Sequence, residues 1–410
     1  MWYLVKPLLR RPLLPLLIVL QVAVACAIAT NALFLLQQKL APILMPSGIA
    51  SPGRLVVLRG IAARGAPWPA ARLRTVEADL RAVPGVSAVT YAASFPVASH
   101  MIIKAPVQAV GGRTTQKTTA LIYLGDHLLP TMGLRLVAGR DFTPEEDVTI
   151  GTAMGFGRSG PVIISRALAR RLFPDGHAIG RQIGYGHGDP HTRTVVGVVA
   201  DLAQNYFGQR SSDLAYAMLF PGVADKWHAP VFAARLRAAA EGPVCRSLLA
   251  VVQRDLGARQ LPGQAVHCDT LAALRHRALA APRAAVWLLA GVTAVVLIVT
   301  LTGVMGLTGY WIQQRTKEIG IRRALGATRG AILRQVQCEN LIVVAAGVVL
   351  GLLAAVGVNL WLMRHYELLR LPWPYLPIGA ALLLVLGQLA VLKPALHAAR
   401  VPPVVATRSV

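Results

Sequence analysis

The sequence predicts a membrane protein with four transmembrane α-helices and a large extracytoplasmic α+β domain. Of its 410 residues, 55% are hydrophobic and 15% are charged, and the mean hydropathy is +0.53. Ordinary soluble domains carry more charge, about 25%. Four apolar runs are long enough to span a bilayer, and residues 37–283, between the first two, contain no such run. A bundle of four helices with one soluble domain accounts for both observations.

The first apolar run, Leu13–Leu36, has no charged residue and is long enough to cross a hydrocarbon core of about 30 Å. Lys6, Arg10 and Arg11 precede it. Positive residues beside a span are typical of its cytoplasmic side. We therefore expect residues 1–36 to form a cytoplasmic N-terminal segment and the first transmembrane helix.

Two other interpretations of this run are a cleaved signal peptide and a lipoprotein signal, because small residues precede Cys26. The run continues ten residues beyond Cys26, which is longer than the apolar core of a signal peptide and favours an uncleaved helix. Its polar residues, Gln21 and Asn31, are expected to face other helices rather than lipid.

Residues 37–283 are predicted to form an α+β domain in which the order strand, helix, strand occurs twice. The first set is Leu55–Leu58, Trp68–Ala82 and Val86–Tyr91, and the second is Pro230–Leu236, Gly242–Leu256 and Gln264–Cys268. We interpret the two sets as halves of one subdomain that is split by an insertion. The predicted boundaries are 45–96 and 229–270 for the porter-like halves, 97–228 for the inserted subdomain and 271–283 for a helical stalk.

The inserted subdomain is predicted to be rich in β-structure. Pro161–Ile164 and Arg193–Val199 have the apolar, β-branched composition of strands. Ser165 lies between the first of these strands and a helical pattern over 166–173, where it is a good N-cap residue.

The C-terminal part, residues 284–392, is predicted to hold the other three spans. Their ranges are 284–311, 341–363 and 375–392, and a basic tail at 393–410 follows on the cytoplasmic side. In the third span Gly347 and Gly351 form a G-x-x-x-G pair, which lets two helix backbones approach closely.

A short basic segment, residues 312–339, joins the second and third spans. Between Trp311 and Glu339 there are six basic residues against two acids, Glu318 and Glu339. This excess predicts a cytoplasmic location. The apolar residues Ile321, Leu325, Ile332 and Val336 keep helical spacing, and we interpret them as one amphipathic helix at the membrane surface. The alternative is a solvated loop that only fixes topology.

The residues of this segment carry a family resemblance. R-T-K-E-I-G-I-R-R-A-L-G-A-T-R, at 315–329, resembles the signature of FtsX/MacB-type permeases of ATP-binding cassette (ABC) systems. The similarity recurs along the chain, in order, in phrases that look like the MacB-type periplasmic core domain. These phrases are V-A-G-R-D-F-T (137–143), I-S-R-A-L-A-R-R-L-F-P (164–174), I-G-R-Q-I (179–183) and V-V-G-V-V-A-D (195–201).

The resemblance implies a non-catalytic permease subunit of a MacB-type exporter in the bacterial inner membrane, with both termini cytoplasmic and residues 37–283 periplasmic. It implies a second permease subunit, identical or related, and a cytoplasmic ATPase that binds ATP, so that this chain has no cofactor of its own. A Walker A motif is absent from the sequence, and the ATPase is therefore expected on a separate chain. The residues expected to couple to the ATPase are Lys317, Glu318, Ile319, Gly320, Arg322, Arg323 and Gly326.

The resemblance also implies an efflux function for a peptide, antibiotic or other small molecule, with membrane lipid around the spans and a periplasmic adaptor and outer-membrane duct as further partners. Two alternatives stay open: an FtsX-like signalling module that controls a periplasmic partner, and a lipoprotein-release permease. The cores of the spans contain no ionisable residue, which argues against a conventional proton-coupled transporter.

Two other functions are weighed and set aside. The net charge of +24 would suggest nucleic-acid binding in a soluble protein, but here it is spread along an arginine-rich chain. A metal site is conceivable where Asp175, His177, His187, Asp189 and His191 cluster. A polar hairpin without metal is the favoured interpretation, because a fixed site needs ligands on rigid elements.

Cys245 and Cys268 are the cysteines of the outer block, and a periplasmic location permits disulfides. Cys245 falls in the first turn of the predicted helix, and Cys268 ends the following strand. If that strand is parallel to the one before the helix, both cysteines lie at the same edge of the sheet, within reach of a bridge. Two buried free thiols are the alternative. Cys26 lies in the first span and Cys338 at the inner mouth of the third, and both are interpreted as structural thiols.

Overall fold

The structure is a computed structural model that describes residues 13–92, 94–98, 103–111, 117–146, 149–150, 159–186, 191–202, 215–224, 226–239, 242–366 and 371–399. The chain divides into two compact units. The first contains Met1–Leu40 and Arg283–Val410, and the second contains Ala41–Pro282.

The described helices are α1 (Leu13–Leu44), α2 (Ala70–Arg81), α3 (Leu128–Met132), α4 (Arg166–Leu172), α5 (Gly242–Leu256), α6 (Leu271–Ala278), α7 (Ala280–Gln314), α8 (Thr316–Ala324), α9 (Arg329–Tyr366) and α10 (Tyr375–Ala399). The described strands are β1 (Leu55–Arg59), β2 (Trp68–Pro69), β3 (Val86–Ala92), β4 (Lys104–Ala109), β5 (Thr118–Leu124), β6 (Leu136–Gly139), β7 (Thr149–Ile150), β8 (Gly160–Ser165), β9 (Gln182–Tyr185), β10 (His191–Val199), β11 (Ala217–Phe220), β12 (Val223–Ala224), β13 (Lys226–Trp227), β14 (Val231–Leu236) and β15 (His267–Thr270).

The Ala41–Pro282 unit is built on a four-stranded sheet with the order β15-β1-β14-β3. Neighbouring strands are antiparallel throughout. β1 and β3, the strands of the first strand-helix-strand set, are therefore parallel with β14 between them. β14 and β15, the strands of the second set, are parallel with β1 between them. This is the split, ferredoxin-like arrangement of two β-α-β units, and it confirms the predicted α+β fold with a split subdomain.

The inserted part leaves and rejoins this sheet at one point. Ala92, the last residue of β3, pairs with Val231, the first residue of β14. Between them lies a seven-stranded mixed sheet with the order β6-β10-β8-β11-β5-β4-β9. Its strands β9 and β10 also pair, so six of the seven strands form a closed ring and β6 is added at one side.

Apolar side chains form a core that is continuous between the two sheets. One cluster of buried residues includes Leu73 and Leu80 of α2, Phe232 of β14, and Ile183 and Phe220 of the seven-stranded sheet. α2 and α5 supply the face that covers the four-stranded sheet, because their apolar residues recur at helical spacing. The shared core explains why the host sheet and the insertion belong to one compact unit.

The predicted cap at Ser165 is present. The Ser165 hydroxyl accepts a hydrogen bond from the backbone N–H of Leu168 (3.4 Å), and α4 then runs from Arg166 to Leu172. The carboxylate of Asp201 accepts a second N–H of this first turn, that of Ala167 (2.7 Å). These groups satisfy backbone donors that have no partner inside the helix.

Among the described residues, four helical stretches are long and apolar enough to cross a membrane: Leu13–Leu44, Leu271–Gln314, Arg329–His365 and Tyr375–His397. The first continues beyond the predicted end at Leu36. The third begins well before the predicted span at 341–363, because α9 starts at Arg329. The stalk helix α6 ends at Ala278, and Pro282 lies in the first turn of the next helix, α7, where its missing N–H costs little.

Polar side chains join the membrane helices, as expected for Gln21 and Asn31. The amide of Gln21 donates to the carbonyl of Val299 in α7 (3.0 Å), and that of Asn31 donates to the carbonyl of Ala355 in α9 (3.1 Å). Gly351 packs against α1 so closely that an added Cβ would lie 2.5 Å from the Cβ of Cys26. Hydrogen bonds and close backbone approach are the contacts that hold helices together in lipid.

Candidate functional site

The segment between the second and third spans forms two helices, not one. α8 ends at Ala324, and Gly326 then adopts a left-handed conformation with φ of +98°. A residue with a side chain is strained at such an angle, so the glycine stops the helix. The hydroxyl of Thr328 accepts the backbone N–H of Ala331 (3.2 Å) and starts α9.

The predicted single amphipathic helix is therefore wrong. Ile332 and Val336 are buried, at 3% and 8% exposure, whereas Ile321 is 50% and Leu325 83% exposed. The turn at Gly326 changes the direction of the chain, so residues that share a face in an unbroken helix are separated here.

α8 is held against the bundle by its small and apolar residues. Gly320 is its buried residue, and Ile319 is half-buried against the apolar core of the four long helices. Of the predicted coupling residues, Ile319 and Gly320 thus fix the helix in place.

A network of charged and amide side chains ties α8 to the ends of α7 and α9. The guanidinium of Arg315 donates to Glu318 (3.2 Å) and to Glu339 (2.8 Å). The amide of Gln335 donates to the second oxygen of Glu339 (2.8 Å) and accepts from Arg322 (2.7 Å). The five side chains form an unbroken chain of contacts, which we call the Arg315 network.

The centre of the Arg315 network is shielded from water. The side chain of Glu339 is 2% exposed and that of Arg315 is 18% exposed. The guanidinium also lies over the ring of Trp311, 5.2 Å from its centroid, where a cation is attracted by the ring face. A carboxylate this deeply buried needs a paired cation and hydrogen bonds to stay charged, and both are present.

The remaining predicted residues are mostly exposed, although Glu318 and Arg322 also belong to the Arg315 network. Lys317, Glu318, Arg322 and Gly326 are exposed, and Arg323 is half-buried. Glu318 lies in the first turn of α8, with Arg322 and Arg323 in the last turn, so these charges also match the helix dipole. The outward surface of α8 is a charged face on a helix that is fixed from behind.

The sequence did not single out Arg315, Gln335 and Glu339 as a unit. Arg315 and Glu339 are 24 residues apart, and periodicity gives no sign that they meet. One signal was available: Glu339 is a carboxylate directly before a long apolar run, where an unpaired charge is costly.

The metal hypothesis finds no support among the described residues, which contain no group of three His, Cys, Asp or Glu side chains able to hold an ion. Asp175 forms an ion pair with Arg181 (2.7 Å), and its other oxygen accepts the backbone N–H of His177 (3.2 Å). His191 lies beside the ring of Tyr185. His187 and Asp189 lie outside the described residues.

Cys245 and Cys268 are joined by a disulfide, with their Cα atoms 5.9 Å apart. The route by which they meet differs from the predicted one. Cys268 is the second residue of β15, not the last residue of its strand, because β15 spans His267–Thr270. The bridge therefore joins the first turn of α5 to the face of the sheet over which that helix packs.

The next residues attach the stalk to the same sheet. The carboxylate of Asp269 pairs with Arg59 of β1 and with Arg277 of α6, both at 3.0 Å. The hydroxyl of Thr270 caps α6 by accepting the N–H of Ala273 (3.1 Å). Three consecutive residues, Cys268 to Thr270, thus connect β15 to α5, β1 and α6.

In the part of the chain that the structure describes, four helices able to span a membrane and a split α+β domain define a multi-span membrane protein. Two family models match the chain: the FtsX-like permease C-terminal model over residues 290–403 and the MacB-like periplasmic core domain model over residues 22–241. The second covers more than half of the chain, and the chain therefore belongs to the MacB/FtsX-like permease family.

Individual relatives agree with this assignment. The chain is 25% identical over 307 residues to a macrolide export ATP-binding/permease protein MacB of Chromobacterium violaceum, a match that covers 73% of this chain and 45% of the relative. A MacB of Wolinella succinogenes is 38% identical over 127 residues, 30% of this chain and 19% of that protein. The chain thus spans less than half the length of the curated relatives it matches.

Among solved structures, the periplasmic region of MacB from Actinobacillus actinomycetemcomitans matches 56% of this chain and 94% of that structure. The sequence identity is 12% and the TM-score is 0.35.

Proposed function

We propose that this chain is the permease subunit of a MacB-type ABC exporter. A cytoplasmic ATPase, carried on a separate polypeptide, binds the outward face of α8 and drives the bundle. The bundle transmits the motion to the periplasmic domain, which expels a small molecule, peptide or antibiotic. The chain acts as one of two permease subunits in the bacterial inner membrane, with both termini in the cytoplasm.

The observation that supports this proposal best is the Arg315 network. A loop that only fixed topology would need positive charge and no defined structure. Here the buried pair joins Arg315, at the junction of α7 and α8, to Glu339 of α9. A force applied to the outward face of α8 reaches α7 and α9 through rigid contacts.

The substrate class is taken from the relatives. Their names describe macrolide export in MacB proteins and pyoverdine export in PvdT of Pseudomonas syringae. We extend this to the present chain as efflux of a peptide, antibiotic or other small molecule through a periplasmic adaptor and an outer-membrane duct.

The test is a pair of charge changes on the exposed side of α8. Lys317→Glu and Glu318→Ala should reduce both co-purification of the ATPase and substrate efflux, because each removes a charge that faces the partner. Arg334→Glu is the matched control: it has the same charge change as Lys317→Glu, on an exposed position of α9. Unchanged efflux and unchanged ATPase binding in both α8 variants would refute the proposal.

Co-purification also separates this function from the others considered. An adaptor and an outer-membrane duct in the purified complex support efflux. A cell-wall hydrolase would instead identify a signalling module, and a periplasmic lipoprotein carrier would identify a lipoprotein-release permease. Either of these two results would overturn the efflux proposal while leaving the family membership intact.

A further inference from the structure

A groove runs between the last turns of α7 and the second half of α10. Its volume is about 640 Å³, within the range of roughly 300–1,000 Å³ that is usual for small-molecule sites. Since α7 leads directly into α8, the groove lies at the end of the bundle that carries the Arg315 network. None of its lining residues belongs to that network.

Most of the groove is apolar and open. Met305 and Leu389 line it with 36% and 59% of their surface exposed, whereas Ile312 is 8% exposed. At Gly309 there is unfilled space, since an added Cβ would meet no other atom within 4 Å. The groove therefore offers an apolar channel, between two of the candidate membrane spans, that the bundle itself does not fill.

One end of the groove is polar and positively charged. Gln313, Lys393 and His397 line it, and no carboxylate is among the described lining residues. Lys393 and His397 are four residues apart in α10, so their side chains share a face of the helix. The lysine ammonium and the imidazole N–H both donate hydrogen bonds. Such a site suits an anion at the membrane surface.

We propose that this groove binds one anionic phospholipid. The phosphate-bearing headgroup lies against Lys393 and His397, and an acyl chain lies along Met305, Gly309 and Leu389. Basic pockets between membrane helices are suited to anionic headgroups, and the apolar channel gives the acyl chain a place that a free phosphate would leave empty. The bound lipid braces α7 against α10 at the point where α8 begins.

Charge also argues against a second copy of the chain as the occupant. A two-fold contact through this groove would bring Lys393 and His397 toward the same positive residues of the copy. An anionic lipid neutralises them.

The experiment is native mass spectrometry of the full chain in detergent, titrated with phosphatidylglycerol and, separately, with phosphatidylcholine of the same acyl chains. One phosphatidylglycerol molecule should be retained at concentrations where phosphatidylcholine is lost. Lys393→Gln should weaken that binding about five-fold, the effect of about 1 kcal/mol per basic residue at a membrane surface. Gly309→Leu should abolish it by filling the channel.

Two matched variants control for general effects. Gly306→Leu adds the same side chain to α7, also in open space but outside the groove. Arg364→Gln removes an exposed positive charge at the opposite end of the bundle. Neither should change lipid retention.

Three results would overturn the proposal. Equal retention of the two lipids would show that the headgroup is not recognised. Loss of phosphatidylglycerol on adding millimolar inorganic phosphate would show an anion site without a lipid channel. A change from dimer to monomer in Gly309→Leu, with lipid retention unchanged, would assign the groove to a second copy.

Discussion

Arg315 binds two carboxylates in very different surroundings. Glu318 is 60% exposed, whereas Glu339 is 2% exposed. Exposed ion pairs contribute about 0–1 kcal/mol to stability, because water solvates both partners when they separate. A buried carboxylate that loses its cation has no such compensation. The contribution of a charged side chain to stability therefore depends mainly on how deeply its partner is buried.

Arg315→Ala is therefore expected to destabilise the bundle by about 3–5 kcal/mol, because it leaves Glu339 buried and unpaired. Glu318→Ala, the matched control, removes the exposed partner of the same guanidinium and should cost about 1 kcal/mol or less. The measurement is thermal unfolding of the purified protein in detergent. The double variant Arg315→Met/Glu339→Gln should recover most of the loss, since it removes both buried charges. Equal effects of the two single variants would contradict this view of the network.

Two neighbouring carboxyl groups in the inserted subdomain should respond to pH in opposite directions. Two hydrogen bonds from Arg140 to Glu146 (2.8 and 2.7 Å) hold the pKa of Glu146 below its ordinary value. Partial desolvation raises the pKa of Asp141, although the residue as a whole is exposed. The ionised form of Glu146 therefore stabilises the fold above the ordinary glutamate pKa of about 4.3, and this contribution is lost as the pH falls through its lower folded pKa. The ionised form of Asp141 is instead a cost at neutral pH, relieved by protonation.

At pH 7, Glu146→Gln should accordingly lower the free energy of unfolding and Asp141→Asn should raise it, each by about 1 kcal/mol or less. The unfolding temperatures should shift in the same directions. The asparagine can still accept the backbone N–H of Phe142. Unfolding scans from pH 7 down to about pH 3 test both signs, and the two differences from wild type should shrink as the native carboxyls become protonated. Parallel shifts at every pH would show that the substitutions act through packing instead.

At the scale of single elements, the disulfide between α5 and β15 is expected to stabilise the α+β domain. The sequence separation of 23 residues corresponds to about 3 kcal/mol of stabilisation in the chain-entropy view. Mass spectrometry of unreduced, alkylated protein should find a Cys245–Cys268 peptide pair, and Cys245→Ser/Cys268→Ser should unfold at a lower temperature. Reductant should lower the unfolding temperature of the wild type toward that of the double variant and leave the unfolding temperature of the variant unchanged. Alkylation of both thiols without prior reduction would show that there is no bridge.

Elements with strong periodicity could be predicted from sequence, and their partners could not. α5 was predicted with its observed bounds, because apolar spacing and a Pro-Gly break mark it clearly. The break at Gly326 was overlooked, since isolated glycines also occur inside helices and only its positive φ shows that this one ends α8. The coupling segment was recognised from its residues, yet the Arg315–Glu339 pair depends on how the end of α7 packs against α9. Strand order likewise depends on long-range pairing, which alternation along one strand does not encode.

At the scale of the whole molecule, the proposed orientation makes a prediction that needs no knowledge of substrate. Thr75 lies exposed on α2, and Thr328 lies exposed in the turn before α9. In a background without the thiols of Cys26 and Cys338, Thr75→Cys should react with a membrane-impermeant reagent in intact spheroplasts. Thr328→Cys should react only after the membrane is opened. The reverse pattern would place the α+β domain in the cytoplasm and overturn the assigned topology.

The pairing of Ala92 with Val231 has a consequence for the history of such a chain. The residue before the inserted subdomain and the residue after it are paired across the antiparallel β3–β14 ladder. In a protein without the insertion, a short hairpin turn could connect the two strands at this point. A gene could acquire coding sequence of almost any length at that junction without altering a single backbone pairing of the host sheet. The inserted subdomain shares an apolar core with the host sheet, and Phe220 and Phe232 lie in the same buried cluster. Removing the insertion would expose this core and destabilise the host sheet. A segment is therefore easily inserted at this junction but not easily deleted again, so the domain can grow in steps that are not readily reversed.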